Sequence, residues 1–306
     1  MKALLLTGLL FILILPGCRK ETSILPLLQS VEELIPMYAD SASVLLDSIQ
    51  APDELTDKDF AHWCMLCGKV TDEAATGLLP IYQWQRAQQW FTEHGTAEEQ
   101  AQIDLYLGRA YVEDGEYDKA MQIYADALQL AKEHQAYNVA GYICAYMADL
   151  YGFRDITSEC LKKREEACEF FKKAENYKSY AYSLKDLAGE WAILDSFACT
   201  IPLLQKADSI SQLLHNKNLT AAIANAFALI YEMQGKYNEA ETAYLKAIST
   251  RSEESYKDSI GLLKVYIKNN KLGKAYELIK AITVHNDIAY SCLLYTSPSP
   301  RDMRRS

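Results

Sequence analysis

The sequence is poor in residues that interrupt regular structure. Its 306 residues include 13 glycines and 8 prolines, and between Ile81 and Ser297 the only proline is Pro202. A proline inside a helix costs about 3 kcal/mol, so some two hundred residues with one such breaker predict helix throughout. With half of its residues apolar, the chain is not disordered or collagen-like. Positive charge is also scarce. The formal net charge is −10, and Lys2, Arg301, Arg304 and Arg305 lie at the two ends, which leaves the middle more acidic still. An acidic body repels phosphate backbones and anionic headgroups, so this segment is not expected to bind nucleic acid. A Gly-rich phosphate loop, a nucleophile elbow and a His-Glu-x-x-His pair are missing from the sequence. The expectation is a non-enzyme with no cofactor.

The N-terminus has a different character. Lys2 precedes an apolar run from Ala3 to Leu15, followed by Pro16-Gly17-Cys18. A helix of that length reaches roughly 20 Å, short of the roughly 30 Å hydrocarbon core, so it reads as a signal peptide rather than a permanent span. Leu15-Pro16-Gly17-Cys18 resembles the bacterial lipobox, in which a small residue precedes a cysteine that is acylated and becomes the new N-terminus. Pro16 departs from the usual residue there. The resemblance implies residues 1–17 as leader, Cys18 as lipid acceptor, 18–28 as tether, and a location in a bacterial cell envelope, on the periplasmic side or the outer membrane.

The middle repeats itself. A shift of forty residues aligns Leu107, Met147, Leu187 and Phe227, and beside them Gly108, Ala148, Ala188 and Ala228. An aromatic column follows at Tyr111, Tyr151, Trp191 and Tyr231, then a turn column at Gly115, Asp155, Asp195 and Gly235. Small residues recur at Ala120, Cys160, Thr200 and Ala240, and again at Ala127, Ala167, Ala207 and Ala247. Apolar positions recur at three- and four-residue steps, as on a helix with one buried face. Each unit therefore reads as a helix hairpin: the Gly/Asp column is its turn, and the small columns mark close helix approach. One hairpin cannot cover its own apolar face, so neighbours must stack on it.

Leu107-Gly108, Tyr111, Gly115, Tyr117, Ala120, Tyr124 and Ala127 resemble the tetratricopeptide repeat, and Ala228, Tyr231, Gly235, Tyr237, Ala240, Tyr244 and Ala247 repeat the match. Asp104 and Ala224 stand where the family usually has tryptophan, Lys132 where it has proline, and the spacing exceeds the usual 34 residues. A shift of 35 extends the pattern to Leu263, Tyr266, Asn270, Leu272, Ala275, Ile279 and Ile282. Upstream, Cys67-Gly68 and Ala87 fit a unit between about Phe60 and His94, and Asp40-Ser41-Ala42 reads as the capped start of a helix. The expected fold is an all-α, tetratricopeptide-like solenoid of about seven antiparallel helix pairs over 29–290.

From Ser291 the helical period stops. Residues 291–306 resemble adapter-derived tails on proteins from metagenomic assemblies, and Leu278, Ile279 and Ile282 would end the stack without a polar cap. A truncated, non-native or disordered tail is expected there. The layout is similar to Bacteroidetes-type envelope proteins, many of which continue into a transmembrane helix and a cytoplasmic helix-turn-helix. The alternative to a scaffold is therefore the periplasmic sensory part of a membrane-spanning transcriptional regulator.

Cys64-Met65-Leu66-Cys67 is flanked by Phe60, Trp63 and Val70 at helical spacing and lacks the second pair a zinc site needs, so it reads as helix packing. Cys144, Cys168 and Cys199 show no ligand spacing, and Cys160 falls in a small-residue column. His94, His134 and His215 fall near the ends of second helices, where a cation is favoured by the dipole. In the family the first helix of each pair lines a concave binding surface. Carried over, that resemblance implies a groove containing Tyr106, Arg109, Glu113, Tyr142, Tyr146, Asp149, Tyr182, Lys185, Asp186, Asn225 and Glu232. The Lys/Asn set that clamps a peptide carboxylate in some members is not reproduced. The expected partner is a protein or peptide, held by a tyrosine-rich face, with the membrane reached only through a lipid anchor.

Overall fold

The structure is a computed structural model and describes residues 24–74, 76–251 and 256–285. The leader 1–17, the acceptor Cys18 and the tail 291–306 lie outside the described residues. Among the described residues there are thirteen α-helices, one short 3-10 helix and no strand. No helix among them is long and apolar enough to cross a membrane.

The chain divides after Gly77 into two units. The first holds α1 (Leu25–Asp47), the 3-10 helix Pro52–Glu54 and α2 (Asp57–Ala74). Helix α1 buries Leu28, Val31, Ile35, Ala42 and Leu46, the steps of a single face, and Lys69 of α2 reaches Glu32 at 3.0 Å. Asp40 does not begin a helix, as its sequence context suggested. Helix α1 starts at Leu25, four residues ahead of the expected boundary, and it is broken at Tyr38 (φ −140°, ψ 54°). Pro36, two residues earlier, lacks an N–H and crowds the preceding turn, which accounts for the break. Cys64 and Cys67 lie within α2, as expected for packing residues.

The second unit begins with α3 (Ile81–His94). Five pairs follow: α4 (Ala97–Glu113) with α5 (Tyr117–Glu133), α6 (Tyr137–Phe153) with α7 (Thr157–Lys173), α8 (Tyr177–Ile193) with α9 (Phe197–Leu213), α10 (Lys217–Met233) with α11 (Tyr237–Thr250), and α12 (Tyr256–Lys268) with α13 (Leu272–His285). Each pair packs on the next, which is the arrangement of a tetratricopeptide-like α-solenoid. Thr96 and Glu99 start the run with a reciprocal cap. Thr96 Oγ1 accepts from the Glu99 N–H, and the Glu99 carboxylate accepts from the Thr96 N–H.

Helices α4 to α10 are each 17 residues long and are joined by three-residue turns. The extra length over a 34-residue repeat is therefore in the helices, close to one additional turn each. The middle turn residue is always left-handed: Gly115, Gln135, Asp155, Glu175, Asp195, His215 and Gly235 all have positive φ. Its N–H reaches the carbonyl three residues back, and the next N–H reaches the carbonyl five back. Gly115→Val112 at 3.1 Å with Glu116→Tyr111 at 2.8 Å is one instance, and Glu175→Lys172 at 3.2 Å with Asn176→Phe171 at 3.0 Å is another. These paired bonds close the last carbonyls of each helix. The expected Gly/Asp column is thus four of these seven turns; Gln135, Glu175 and His215 form the other three, between hairpins.

The small columns are contact points. Ala120, Cys160, Thr200 and Ala240 have no exposed surface, and neither do Ala127, Ala167, Ala207 and Ala247. Gly108 of α4 lies under the ring of Tyr124 of α5, where a Cβ would stand 2.2 Å from the ring, and Gly261 of α12 lies similarly under Tyr244 of α11. Asp104, at the family's tryptophan position, faces α3 and accepts from Gln88 Nε2 at 2.6 Å. Burial raises its carboxyl to about 6, against the pull of the Gln88 hydrogen bond and with help from Asp126.

Gly108→Ala should lower stability by about 1–3 kcal/mol through overpacking, whereas Glu175→Gly, which relieves a left-handed non-glycine residue, should raise it by about 1 kcal/mol. Thermal unfolding followed by circular dichroism checks both, and equal midpoints for the two variants would contradict the packing and the turn. The folded Asp104 carboxyl titrates above its unfolded value of about 3.9, so its favourable contribution is complete below pH ~4 and is lost as pH rises through ~6. Asp104→Asn should therefore be roughly 1–3 kcal/mol more stable than the parent at pH 7.5. At pH ~4 the substitution should gain nothing, and denaturant titrations at the two pH values read the difference.

Candidate binding groove

Among the first helices of successive pairs, polar or ring contacts tie α4 to α6, α6 to α8, and α10 to α12. The Arg109 guanidinium of α4 lies over the Tyr146 ring of α6, 4.9 Å from its centroid. Tyr142 of α6 shares a 2.8 Å hydrogen bond with Ser179 of α8. Asn225 of α10 donates to Asp258 of α12, and Lys268 of α12 pairs with Glu232 of α10 at 2.7 Å. Helical spacing puts 142, 146, 149 and 153 along one face of α6, with 182, 186, 189 and 193 equivalent on α8 and 222, 226, 229 and 233 on α10.

The structure sorts the residues that the resemblance assigned to this face. Tyr106 does not line it: the residue is fully buried with its ring 5.2 Å from that of Trp84, because α3 covers this side of α4. Tyr142 is half-buried, and its ring meets the edge of Phe171 at 4.8 Å, so it packs between helices as well as bonding Ser179. Tyr146 stacks at 6.3 Å on Tyr124 beneath Arg109. Asp149 is exposed and accepts from Arg164 at 2.5 Å. Tyr182 is half-buried, Lys185 and Asp186 pair with each other, and Glu113 is exposed at the end of α4. Glu232 also accepts from the Tyr244 hydroxyl at 3.4 Å.

Under this surface lies an unexpected charge. Tyr124, Arg164, Leu204 and Tyr244 share one column of the forty-residue repeat, and the three uncharged members are fully buried. Arg164 emerges between α6 and α8, held by Asp149, by the Ala145 carbonyl at 3.4 Å and by Glu190 at 3.8 Å. It joins the two helices, and its Nε is buried without a hydrogen bond.

Sequence reasoning missed the apolar part of the face. Phe153 is 68% exposed with its ring 5.0 Å from that of Tyr117 of α5, and Ile193, Leu229 and Met233 are exposed on the corresponding faces of α8 and α10. Phe153, Ile193 and Met233 occupy the column of Glu113, so the same forty-residue shift that found the turns also aligns them. Periodicity alone does not separate an apolar residue that covers a helix end from one open to solvent. Gly189 lies between them on α8, and the space beyond its Cα is open.

Burial pushes the thiols of Cys144 and Cys168 up to about 12, so both are neutral near pH 7. No group of His, Cys, Asp or Glu among the described residues is arranged to hold a metal ion. A row of exposed apolar side chains, flanked by charges already paired with one another, suits an apolar segment of another chain.

The fold is that of a tetratricopeptide-like α-solenoid. Tetratricopeptide repeat models match residues 107–135 and 220–254. A search of curated proteins finds no match. Among solved structures, apo RapI is similar over 86% of this chain and 76% of its own, with TM-score 0.63 and 14% identity. A Rap protein complexed with competence and sporulation factor is similar over 85% of this chain and 76% of its own, with TM-score 0.61 and 16% identity. NprR in complex with its cognate peptide NprX is similar over 84% and 77%, with TM-score 0.53 and 13% identity. At these identities the likeness is one of fold.

Proposed function

We propose that this protein is a non-catalytic scaffold that binds a peptide or an extended segment of a protein on the first-helix face of its array, and that it is anchored in a bacterial envelope through Cys18. The observation that carries the first part is the exposed apolar row Phe153, Ile193, Leu229 and Met233. It crosses helices that are otherwise tied together by Arg109–Tyr146, Tyr142–Ser179 and Asn225–Asp258. Burying such side chains is worth about 25 cal/mol per Å² of apolar area, and the paired charges around them limit the polar groups that must be desolvated. A neighbour of the same fold that holds a cognate peptide supports the reading. The anchor rests on the lipobox-like Leu15-Pro16-Gly17-Cys18 after an apolar run.

Two measurements test the proposal. Peptides selected on the parent protein from a random phage library should lose at least about tenfold in affinity for the Ile193→Asp/Met233→Asp double variant, about 1.4 kcal/mol. The variant should keep the parent's helical circular dichroism at the assay temperature, because both side chains are partly exposed at helix ends. Selected peptides that bind parent and variant alike place recognition elsewhere. For the anchor, Cys18→Ser should move the expressed protein from the detergent phase to the aqueous phase in a cloud-point partition, and identical partitioning rules the lipid out.

A further inference from the structure

The outer face of the array contains a place where one hairpin lacks two groups that the preceding hairpin supplies to itself. In the preceding hairpin the Phe170 ring of α7 stacks on Tyr137 of α6 at 6.2 Å, with the ammonium groups of Lys132 and Lys173 within 5.4 and 5.7 Å of its centroid. One turn before Phe170 on the same helix, the Glu166 carboxylate takes Lys132 at 3.4 Å and Lys163 at 2.9 Å. Forty residues on, Tyr177 and Lys172 hold the places of Tyr137 and Lys132. The ring, however, has become Ile210, and the carboxylate has become Lys206.

The consequence is an open cavity of about 430 Å³ between α7, α8 and α9, lined by Lys172, Tyr177, Tyr180, Lys206, Ile210 and Leu213, with Leu214 at its rim. No carboxylate lines it. Among the described residues neither Lys172 nor Lys206 has an ion-pair partner; the Lys206 ammonium rests 5.1 Å from the centre of the Tyr180 ring. Leu213 is 80% exposed, and Tyr177 and Leu214 are also open to solvent. Two unpaired cations beside a ring-sized apolar slot complement a ligand that brings a ring and a carboxylate.

We propose that this cavity is a second binding site, separate from the first-helix face, for an acidic peptide segment that inserts an aromatic side chain above Ile210 and pairs a neighbouring carboxylate with Lys172 and Lys206. Glu166 and Phe170 show the spacing: a Glu and a Phe one helical turn apart, on a helical ligand, would replace what α9 lacks. The exposed Leu213 and Leu214 extend the apolar rim beyond a single ring, which favours a peptide over a small aromatic acid.

The test uses the full chain and a fluorescently labelled, alanine-rich helical peptide carrying one Glu four residues before one Phe. The peptide should bind, and a version with Gln in place of Glu should bind about tenfold more weakly. Ile210→Phe rebuilds the ring arrangement of the preceding hairpin and should abolish binding without lowering the melting point. Lys206→Glu rebuilds its ion pair and should do the same without any change in core volume, which keeps the test decisive if the phenylalanine variant packs poorly. The Ile193→Asp/Met233→Asp variant should bind this peptide as the parent does, so failure here is distinct from failure of the first-helix face. Absence of binding at millimolar peptide, equal binding to the Ile210→Phe variant, or equal binding of the Gln peptide overturns the proposal. So does binding to phosphatidylglycerol vesicles that both variants leave intact, which would make the patch a membrane contact.

Discussion

A left-handed residue every twenty positions is the constraint on which the rest of the second unit depends. From α4 to α10 it stops each helix after 17 residues and directs the chain back in three. Because the stops are evenly spaced, a residue in one hairpin occupies the same environment forty residues later. The columns of alanine, glycine and aromatic residues are useful only because that register is kept. Gly108 can lie under Tyr124, and Gly261 under Tyr244, since the turns deliver the two helices of each pair at the same height. A single missed turn would offset every later column by a fraction of a helical turn and place side chains against side chains.

Much of this is written openly in the sequence, and what is hidden has physical reasons. Gly115, Asp155, Asp195 and Gly235 are visible as turn residues because glycine and aspartate tolerate positive φ. Gln135, Glu175 and His215 adopt the same conformation without any such preference; the two backbone hydrogen bonds that follow them hold it instead. The fold class is legible for the same reason that the hairpins stack, namely that the apolar faces repeat. The candidate face is less legible. Tyr106 belongs to the column of Tyr146 but is covered by α3, and a covering helix leaves no mark on the local pattern of the helix it covers. Arg164 reads as a surface residue by type, yet it lies in a column of buried rings and aliphatic side chains and reaches its carboxylates from below.

The polar groups assigned to the first-helix face are largely engaged with one another. Arg109, Tyr142, Asn225 and Glu232 each reach a residue of a neighbouring first helix or of the one that starts the next hairpin. Their work is structural before it is functional. What remains open to a partner is the apolar row, and a partner that buries it does not have to break the ties around it. The outer cavity differs in kind: there the repeat is incomplete, with a ring and a carboxylate replaced by residues that cannot do their work.

The edge-to-edge ties also have a mechanical consequence. In a stack held together only by nearest neighbours, each junction behaves as a stiff hinge in series with the others, and small tilts add up along the row. Phe153, Ile193 and Met233 ride on three successive hinges. The separation of Phe153 from Ile193 therefore depends on how tightly Tyr142 holds Ser179 and on how firmly Arg164 clamps α6 to α8. Loosening either fastening widens the range of spacings between those two side chains.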